Sequence, residues 1–343
     1  MKRSVRPLAA TLTAGLATAA LIATPSAQAA NANHGYDFVH DPSIIKQGKT
    51  WYVFSTGDPQ GLVGNGNIQI RSSTNLVNWT FDGTMFKQIP QWINDDVGPL
   101  QNLWAPDVSY YRNQYQVYYA GSSFGTNNSV IALATNKTLN PKSKNYHWVD
   151  HGLVFRSWSG VDNYNAIDPN FVLDASGHPW LAFGSFWSGI KLVRLNPKTR
   201  KPAKNPHVYS IAQRAAPDAL EAASIVYHDH YYYLFASFGF CCRGVDSTYT
   251  IHVGRSRRIT GPYVDESGKP MMNGGGTRLL GNQGDMVGPG GQTVYTHHGK
   301  FYMVYHFYDV AEAGAAKLQI RRVFWTKQGW PKLGPIIIKP PFY

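Results

Sequence analysis

Cysteine is almost absent from this sequence: the 343 residues include only two cysteines, and Cys241 and Cys242 are adjacent. Neighbouring cysteines cannot link distant segments, so a small fold held together by a network of disulfides is excluded. After export the pair could form a vicinal disulfide, which would strain the peptide between them. The alternative is a pair of buried small residues, and the sequence leaves both interpretations open.

Charged residues, helical periodicity and linkers are also scarce. Only 15% of the residues are charged, whereas 43% are hydrophobic and 14% aromatic, so there is ample material for a core. Short runs rich in β-branched and aromatic residues, such as residues 51–54 and 130–134, alternate with turn residues. No serine, proline, glycine or charge run divides the chain. These absences predict a single all-β domain, and no nucleic-acid motif is present.

The N-terminus has the pattern of a secretory signal peptide. Lys2, Arg3 and Arg6 precede an apolar, alanine-rich stretch over residues 8–23, and residues 26–29 offer small residues for cleavage. A membrane anchor, the alternative, needs about 20 strongly apolar residues. We therefore expect residues 1–30 to be removed, and residues 31–343 to form one secreted extracellular domain that contacts no membrane.

The chain is basic, with a formal net charge of +12 that falls to +9 when the signal's three positive charges are removed. A basic secreted protein suits an acidic surface such as a pectic cell wall. Charge that serves only solubility explains the excess equally well. A secreted protein without a nucleic-acid motif is not expected to bind nucleic acid.

A pattern of about 60 residues occurs five times along the chain. Each copy continues from its first residue through a short apolar strand and a polar turn to an aromatic strand. The copies start at Asp41, Asp107, Asp168, Glu221 and Gly288. Each copy has room for four strands of ordinary length, and this predicts a five-bladed β-propeller with four-stranded blades around a central channel. A β-sandwich, the other all-β candidate, does not produce such a period.

The repeat places carboxylates around one axis. If the first residue of each copy lies at the axial end of the innermost strand, the five starts form a ring at the mouth of the channel. Grouped carboxylates cost stability because like charges are desolvated together. A single aspartate would be interpreted as a turn residue, but three acids at one phase of a repeat indicate catalysis.

Blade order then assigns a role to each acid. Copies one and four are not neighbours, and they lie about 8–9 Å apart on a ring of roughly 4–5 Å radius. A carboxyl separation of about 6.5–9.5 Å leaves room for a water, as in inverting glycosidases. We predict Asp41 as the ionised general base and Glu221 as the general acid, with Asp168 raising the pKa of Glu221. Asp107 follows Ala105-Pro106, and we assign it a structural role.

At these positions the sequence resembles glycoside hydrolase family 43. The motifs that carry the resemblance are His40-Asp-Pro-Ser43, Leu103-Trp-Ala-Pro-Asp107, Asn165-Ala-Ile-Asp-Pro169, Gly184-Ser-Phe-Trp-Ser-Gly189 and Leu220-Glu-Ala-Ala-Ser224. Cys241-Cys-Arg-Gly244 with Ser247-Thr-Tyr-Thr-Ile251 is similar to the endo-α-1,5-L-arabinanases of that family. The resemblance implies a monomeric propeller that hydrolyses linear arabinan, a pectic side chain, with inversion. It implies the same roles for the three acids.

The resemblance also implies a set of substrate contacts. The expected residues are Asp41, Trp104, Gly125, Asn165, Ala166, Ile167, Asp168, Ser185, Phe186 and Trp187. Trp104 would offer an aromatic face to a sugar ring. The alternative for Trp104, Phe186 and Trp187 is core packing.

His306, in the last aromatic strand, is implied to hold an ion, usually calcium, largely through waters. From the residues alone this signal is poor, because a histidine among aromatics is more often a satisfied core residue and calcium prefers oxygen ligands. No organic cofactor is expected. The chain departs from the family at one point: many relatives carry Gly-Pro-Gly-His where this chain has Gly288-Pro-Gly-Gly291, which puts the shape of a subsite in doubt.

Three other functions compete with this interpretation. An exo-acting arabinofuranosidase or xylosidase of the same family often carries a C-terminal β-sandwich, for which the sequence has no room after the fifth repeat. Retaining fructan-cleaving propellers would show Arg-Asp-Pro where Ile167 precedes Asp168, and Glu-Cys where Ala222 follows Glu221. A non-catalytic sugar-binding propeller would tolerate loss of the acids, and all three are present.

Overall fold

Five four-stranded antiparallel sheets make up the part of the chain that the computed structural model describes, residues 35–61 and 64–340. Within each sheet the strands are neighbours in chain order, so each sheet is one copy of the repeat. The first strands of successive sheets contact one another around a ring. The predicted five-bladed β-propeller is confirmed. The predicted signal peptide, residues 1–30, lies outside the described residues.

The twenty strands follow the aromatic and β-branched runs of the sequence. Blade one contains β1 (Ser43–Gln47), β2 (Thr50–Ser55), β3 (Gln69–Ser73) and β4 (Thr80–Thr84). Blade two contains β5 (Trp104–Tyr111), β6 (Gln114–Ser122), β7 (Ser129–Asn136) and β8 (Val149–Ser157). Blade three contains β9 (Asn170–Leu173), β10 (Pro179–Phe183), β11 (Ile190–Arg194) and β12 (Tyr209–Ala212). Blade four contains β13 (Leu220–His228), β14 (Tyr231–Phe238), β15 (Thr250–Ser256) and β16 (Thr277–Leu280). Blade five contains β17 (Met286–His297), β18 (Lys300–Asp309), β19 (Ala315–Trp325) and β20 (Pro331–Ile336).

Helices are short and lie in the connections. The α-helix of the described residues, α1 (Gln91–Val97), lies between blades one and two and buries Ile93 and Val97. The 3₁₀ helices span Gly64–Gly66, Gly244–Asp246, Met271–Asn273 and Val310–Glu312. Across the described residues, no helix has the length and apolar character required to cross a membrane.

Within the described residues the hydrophobic core is divided into five clusters, and each lies between two adjacent blades. Phe54 of blade one packs in a cluster with Val117 of blade two. Equivalent clusters join blades two and three, three and four, and four and five. The fifth joins blade five to blade one, where Val304 and Val53 pack together. Burial of apolar surface therefore stabilises each blade against both of its neighbours.

A ring of polar side chains also joins the blades. A side chain near the start of each first strand bonds to the backbone of the next blade. The contacts are Val108 N–H to Ser43 Oγ (3.0 Å), Phe171 N–H to Asp107 Oδ2 (2.7 Å), Ile225 N–H to Asn170 Oδ1 (2.8 Å), Val294 N–H to Ser224 Oγ (3.0 Å) and Thr293 Oγ1 to the carbonyl of Pro42 (2.9 Å). The five residues are equivalent positions of the repeat.

This ring corrects the predicted phase of the repeat. The residue two positions before each ring member has a positive φ, between 44° and 58°, and these residues are Asp41, Ala105, Asp168, Ala222 and Gly291. The prediction that the five starts are equivalent was wrong in three copies. Asp107 lies two residues after the equivalent Ala105, Glu221 one residue before Ala222, and Gly288 three residues before Gly291. Register shifts within β5, β13 and β17 cause the error, because each inserts residues that a count from the first acid does not detect.

Candidate active site

A cavity of about 1220 Å³ opens where the first strands begin and the second strands end. Asp41, Asp168 and Glu221 all line it, although they come from blades one, three and four. Adjacent residues of a strand normally point to opposite faces, and Glu221 is one residue out of phase with the two aspartates. The register shift between Glu221 and Ser224 lets its side chain reach the same cavity.

Asp41 is held as a carboxylate. Its Oδ2 accepts a hydrogen bond from Thr56 Oγ1 at 2.7 Å and lies 3.4 Å from His40 Nδ1. Burial raises the pKa of Asp41, but the charge and hydrogen bond of His40 and the hydrogen bond of Thr56 outweigh burial and bring the pKa down to about 2. Thr56 also accepts the N–H of Ala105 at 2.8 Å, so its hydroxyl direction is set by two partners.

Glu221 lies among hydroxyl groups and is 7% exposed. Its Oε2 accepts a hydrogen bond from Ser185 at 2.5 Å, and its Oε1 accepts one from Tyr249. Burial raises the pKa of Glu221; the two hydrogen bonds oppose this, and the charge of Asp41 adds to it. Burial, rather than the charge of Asp168 that we predicted, is therefore the main cause of the raised pKa.

Asp168 accepts the N–H of Ala222 at 3.0 Å, which ties it to the residue after Glu221. Burial, followed by the charges of Glu221 and Asp41, raises the pKa of Asp168 well above its usual range. Like charges in one buried site do not all ionise together. With Asp41 ionised, Asp168 and Glu221 form a coupled pair that retains a proton to higher pH than either would alone.

Asp107 does not reach the cavity. It is 4% exposed and accepts hydrogen bonds from the N–H of Phe171 and, at 3.1 Å, from Asn170 Nδ2. Both donors belong to blade three, so Asp107 links two blades. Burial raises its pKa to about 7 despite these hydrogen bonds. Its predicted structural role is consistent with this position.

Nine of the ten expected substrate-contact residues line the cavity: Asp41, Trp104, Gly125, Asn165, Ile167, Asp168, Ser185, Phe186 and Trp187. The exception is Ala166, which is 0% exposed, packs between blades two and three, and donates its N–H to Ser157. Trp104, Phe186 and Trp187 lie on the cavity wall and in none of the five core clusters, and Trp187 is 41% exposed. The packing alternative for these aromatics is therefore wrong.

Sequence reasoning missed Thr56 and Tyr249, which hold the acids. Thr56 follows β2, and the strand pairing makes it equivalent to Ser237 and His306. All three accept the N–H of the positive-φ residue in the next blade, at 2.8–3.1 Å. Each lies two residues after the strand partner of a ring residue. A polar residue at this repeated position was the sequence signal that could have identified Thr56. Tyr249 lies inside the motif that spans residues 247–251, but nothing in that motif pointed to Glu221.

His306 is 0% exposed, and its Nδ1 accepts the N–H of Asp41 at 3.1 Å. Burial lowers the pKa of His306 well below its usual value, so the ring is neutral and its proton lies on Nε2. Nε2 has no hydrogen-bond partner among the described residues. A buried N–H without a partner fits a bound water. Because a protonated Nε2 has no lone pair for a metal ion, His306 could hold an ion only through that water. His40, Asp41 and His306 place their ligand atoms within 4.8 Å of one another.

Gly291 accounts for the departure from the family pattern. A Cβ at this position would lie 2.5 Å from Asp41 Oδ1 and 2.6 Å from His306 Nδ1. A side chain at 291 would therefore compete for space with His306 and Asp41. In this chain glycine leaves that space to Asp41 and His306, and it also suits the positive φ of 58°.

Cys241 and Cys242 form a vicinal disulfide, so the alternative of two buried thiols is wrong. Both residues line the cavity, beside Phe240 and Arg243. The Arg243 guanidinium lies 4.2 Å from the Phe240 ring centre. The disulfide turn thus forms part of the cavity wall on the side of blade four.

The family model that matches this chain is "Glycosyl hydrolases family 43", over residues 36–331. The "Extracellular endo-alpha-(1->5)-L-arabinanase 1" of Bacillus subtilis is 44% identical over 317 residues, 91% of this chain and 94% of that protein. The "Extracellular exo-alpha-(1->5)-L-arabinofuranosidase ArbA" of Cellvibrio japonicus is 41% identical over 86% of each chain. A solved structure of Cellvibrio cellulosa alpha-L-arabinanase complexed with arabinohexaose superposes with a TM-score of 0.80, at 41% identity over 87% of this chain and 95% of that one.

Proposed function

Because the chain belongs to glycosyl hydrolase family 43, we propose that it is an inverting endo-arabinanase, which cleaves internal α-1,5-L-arabinofuranosidic bonds of arabinan. The observation that carries the proposal is the pairing, in one cavity, of an ionised Asp41 with two carboxyl groups of raised pKa. An inverting glycosidase needs one carboxylate as base and one carboxylic acid as proton donor.

Asp41 acts as the general base. Its Oδ2 is occupied by Thr56 and His40, whereas Oδ1 receives no hydrogen bond from the described residues. Oδ1 therefore takes a proton from the water that attacks the anomeric carbon. The low pKa of Asp41 keeps it charged throughout the working pH range, and the same charge stabilises positive charge that develops on the sugar ring.

Glu221 acts as the general acid and protonates the departing O5 of the next arabinose. The raised pKa keeps its proton in place until the bond breaks. Once the proton has left, the hydroxyls of Ser185 and Tyr249 stabilise the carboxylate. Asp168 is the residue that tunes the acid: burial and the charges of Glu221 and Asp41 raise its pKa, and it accepts the N–H of Ala222, the residue after Glu221.

The cavity binds a stretch of polysaccharide rather than a single sugar. Its volume of about 1220 Å³ exceeds the range of about 300–1,000 Å³ that is usual for small-molecule pockets. Trp104, Phe186 and Trp187 provide aromatic surface on its wall, against which arabinose rings pack. Endo cleavage is the form of the reaction that a site of this size favours.

Exo cleavage is the second candidate, because the Cellvibrio japonicus relative is named an exo-acting enzyme at nearly the same identity. The two modes differ in the loops that close the end of the cleft. They give different products: an exo enzyme releases short products from the start, whereas an endo enzyme first shortens the polymer.

An ion, calcium or another, is proposed next to His306. His306 Nε2 would hold it through a water, with Asp41 and His40 nearby. Such an ion would supply positive charge beside Asp41 and order the waters of the channel.

We further propose that residues 1–30 are a cleaved signal peptide and that residues 31–343 are one catalytic domain. We also propose that the enzyme is extracellular, as the names of both relatives state for those proteins. We also propose that the enzyme is a monomer, since Asp41, Asp168 and Glu221 meet within one chain.

The test is the product profile on linear arabinan. The wild-type protein should lower the viscosity of debranched arabinan well before arabinose accumulates. Glu221→Gln should reduce the rate by about 10²–10⁴-fold while arabinan binding persists, and exposed Glu266→Gln, the matched control, should keep the wild-type rate. Immediate release of arabinose or a short oligomer would favour exo cleavage. Full activity of Glu221→Gln would refute the assignment of the acid.

A further inference from the structure

We propose that His40 and Tyr308 are positioning residues, which orient the Asp41 carboxylate through a hydrogen-bonded chain that begins at the vicinal disulfide. The inference rests on the proposed function of Asp41 as general base.

The chain has three links. The N–H of Cys242 donates to the Tyr308 hydroxyl at 2.7 Å. The Tyr308 oxygen lies 2.7 Å from His40 Nε2, and His40 Nδ1 lies 3.4 Å from Asp41 Oδ2. The backbone N–H donates to the tyrosine oxygen, the tyrosine hydroxyl and His40 Nε2 share the second hydrogen bond, and Nδ1–H donates to the carboxylate, which can only accept. The chain therefore ends on the base.

Its last link decides which carboxylate oxygen does the chemistry. His40 and Thr56 both contact Oδ2, and Oδ1 accepts no hydrogen bond from the described residues. Two contacts on one oxygen restrict rotation of the carboxylate. Without His40, only Thr56 would hold it, and the free oxygen would sample directions unsuited to the attacking water.

The imidazole of His40 cannot easily turn away from this geometry. It stacks on the His306 ring, with centroids 3.7 Å apart, and the centroid of the Tyr308 ring lies 5.6 Å from that of His40. Tyr308 itself is 3% exposed and lies 268 residues from His40 in the sequence. Blade five thus holds the residue that precedes the base of blade one, and the disulfide turn of blade four holds the tyrosine.

A direct role in substrate binding is the competing explanation, since His40 also lines the cavity. The two explanations differ in kinetics. A lost substrate contact raises KM, whereas a misoriented base lowers kcat and leaves KM nearly unchanged.

The first test is Tyr308→Phe, which removes one hydroxyl and keeps the ring. We expect kcat on linear arabino-oligosaccharides to fall about tenfold, as for the loss of one hydrogen bond that acts in the transition state, with KM within about twofold. The matched control is Tyr118→Phe. Tyr118 is 0% exposed, donates to the carbonyl of Arg200 at 2.8 Å and does not line the cavity, so its variant should change the melting temperature but not kcat.

The second test is a double-mutant cycle. His40→Ala should lower kcat at least as much as Tyr308→Phe, and Tyr308→Phe should add little in the His40→Ala background, because the tyrosine acts through the histidine. Additive effects would overturn the chain. All variants are measured with calcium and with chelator, since His40 stacks on His306. A defect that disappears with chelator would assign the effect to an ion and would also overturn it.

Three further outcomes contradict the proposal: unchanged kcat in Tyr308→Phe, a rise in KM alone, or a fall in kcat that Tyr118→Phe reproduces. Failure of the proposed function looks different, because wild-type protein would then leave arabinan intact.

Discussion

Replacing Gly291 by alanine adds one methyl group next to the proposed base. The new Cβ would lie 2.5 Å from Asp41 Oδ1 and 2.6 Å from His306 Nδ1. Comfortable contacts between non-bonded heavy atoms are about 3.5–4.0 Å, so the Asp41 carboxylate or the His306 ring must move by about 1 Å. A displacement of about 1 Å in a catalytic group can cost about 10²-fold in rate. We therefore expect Gly291→Ala to lower kcat by about 100-fold, or about 2.7 kcal/mol of transition-state stabilisation.

Backbone strain has to be separated from this clash. Gly291 has a φ of 58°, where alanine costs about 1–2 kcal/mol. Gly48, in the turn between β1 and β2, has the same φ of 58°, and no atom lies within 4 Å of the position that a Cβ would occupy there. Gly48→Ala thus carries the strain without the clash. Its melting temperature should be lower than that of the wild type, and its kcat should be unchanged. The assay is steady-state hydrolysis of linear arabino-oligosaccharides. Equal kcat in the two variants would refute the reasoning that Gly291 protects the base.

Three further variants test the contacts of the acids. Thr56→Val removes the donor to Asp41 Oδ2 and the acceptor for Ala105 N–H, so kcat should fall about tenfold with a stability loss of about 1 kcal/mol; an unchanged kcat would contradict this. Tyr249→Phe removes a hydrogen bond that lowers the pKa of Glu221, so the limb of kcat/KM on which the acid loses its proton should move to higher pH, and a shift to lower pH would oppose the assignment. Asp107 has a folded pKa of about 7 against an ordinary 3.8, so the unfolded state ionises first and the wild type loses stability as pH rises between these values. Asp107→Asn should escape that loss, up to about 4 kcal/mol, and a constant difference in melting temperature from pH 4 to 8 would argue against it.

The architecture was predictable because the five copies share a local pattern. An apolar strand, a polar turn and an aromatic strand recur at near-regular spacing, and each run formed the first two strands of a blade. The exact alignment of the five copies was not predictable from the spacing of the acids. The register shift next to Ala222 moves Glu221 by one residue, and nothing in the local sequence marks it. The correct phase needed the hydrogen bonds between blades.

The site was only partly predictable for a similar reason. Asp41, Asp168 and Glu221 came from repeat position and motif, and they do line one cavity. Thr56 and Tyr249 bond Asp41 and Glu221, and Tyr308 bonds His40 beside Asp41, at sequence separations of 15 to 268 residues. The folded ring of blades creates these contacts. The burial of Ala166 was hidden as well, because its neighbours Asn165 and Ile167 both face the cavity.

The most direct test of the proposed mechanism is the anomeric configuration of the first product, followed by proton NMR during hydrolysis of a linear arabino-oligosaccharide. A base and an acid on opposite sides of the sugar invert the anomeric centre, so the new reducing end should appear first as the β-anomer and then mutarotate. Initial appearance of the α-anomer would contradict the assignment of Asp41 as a base that activates water opposite Glu221.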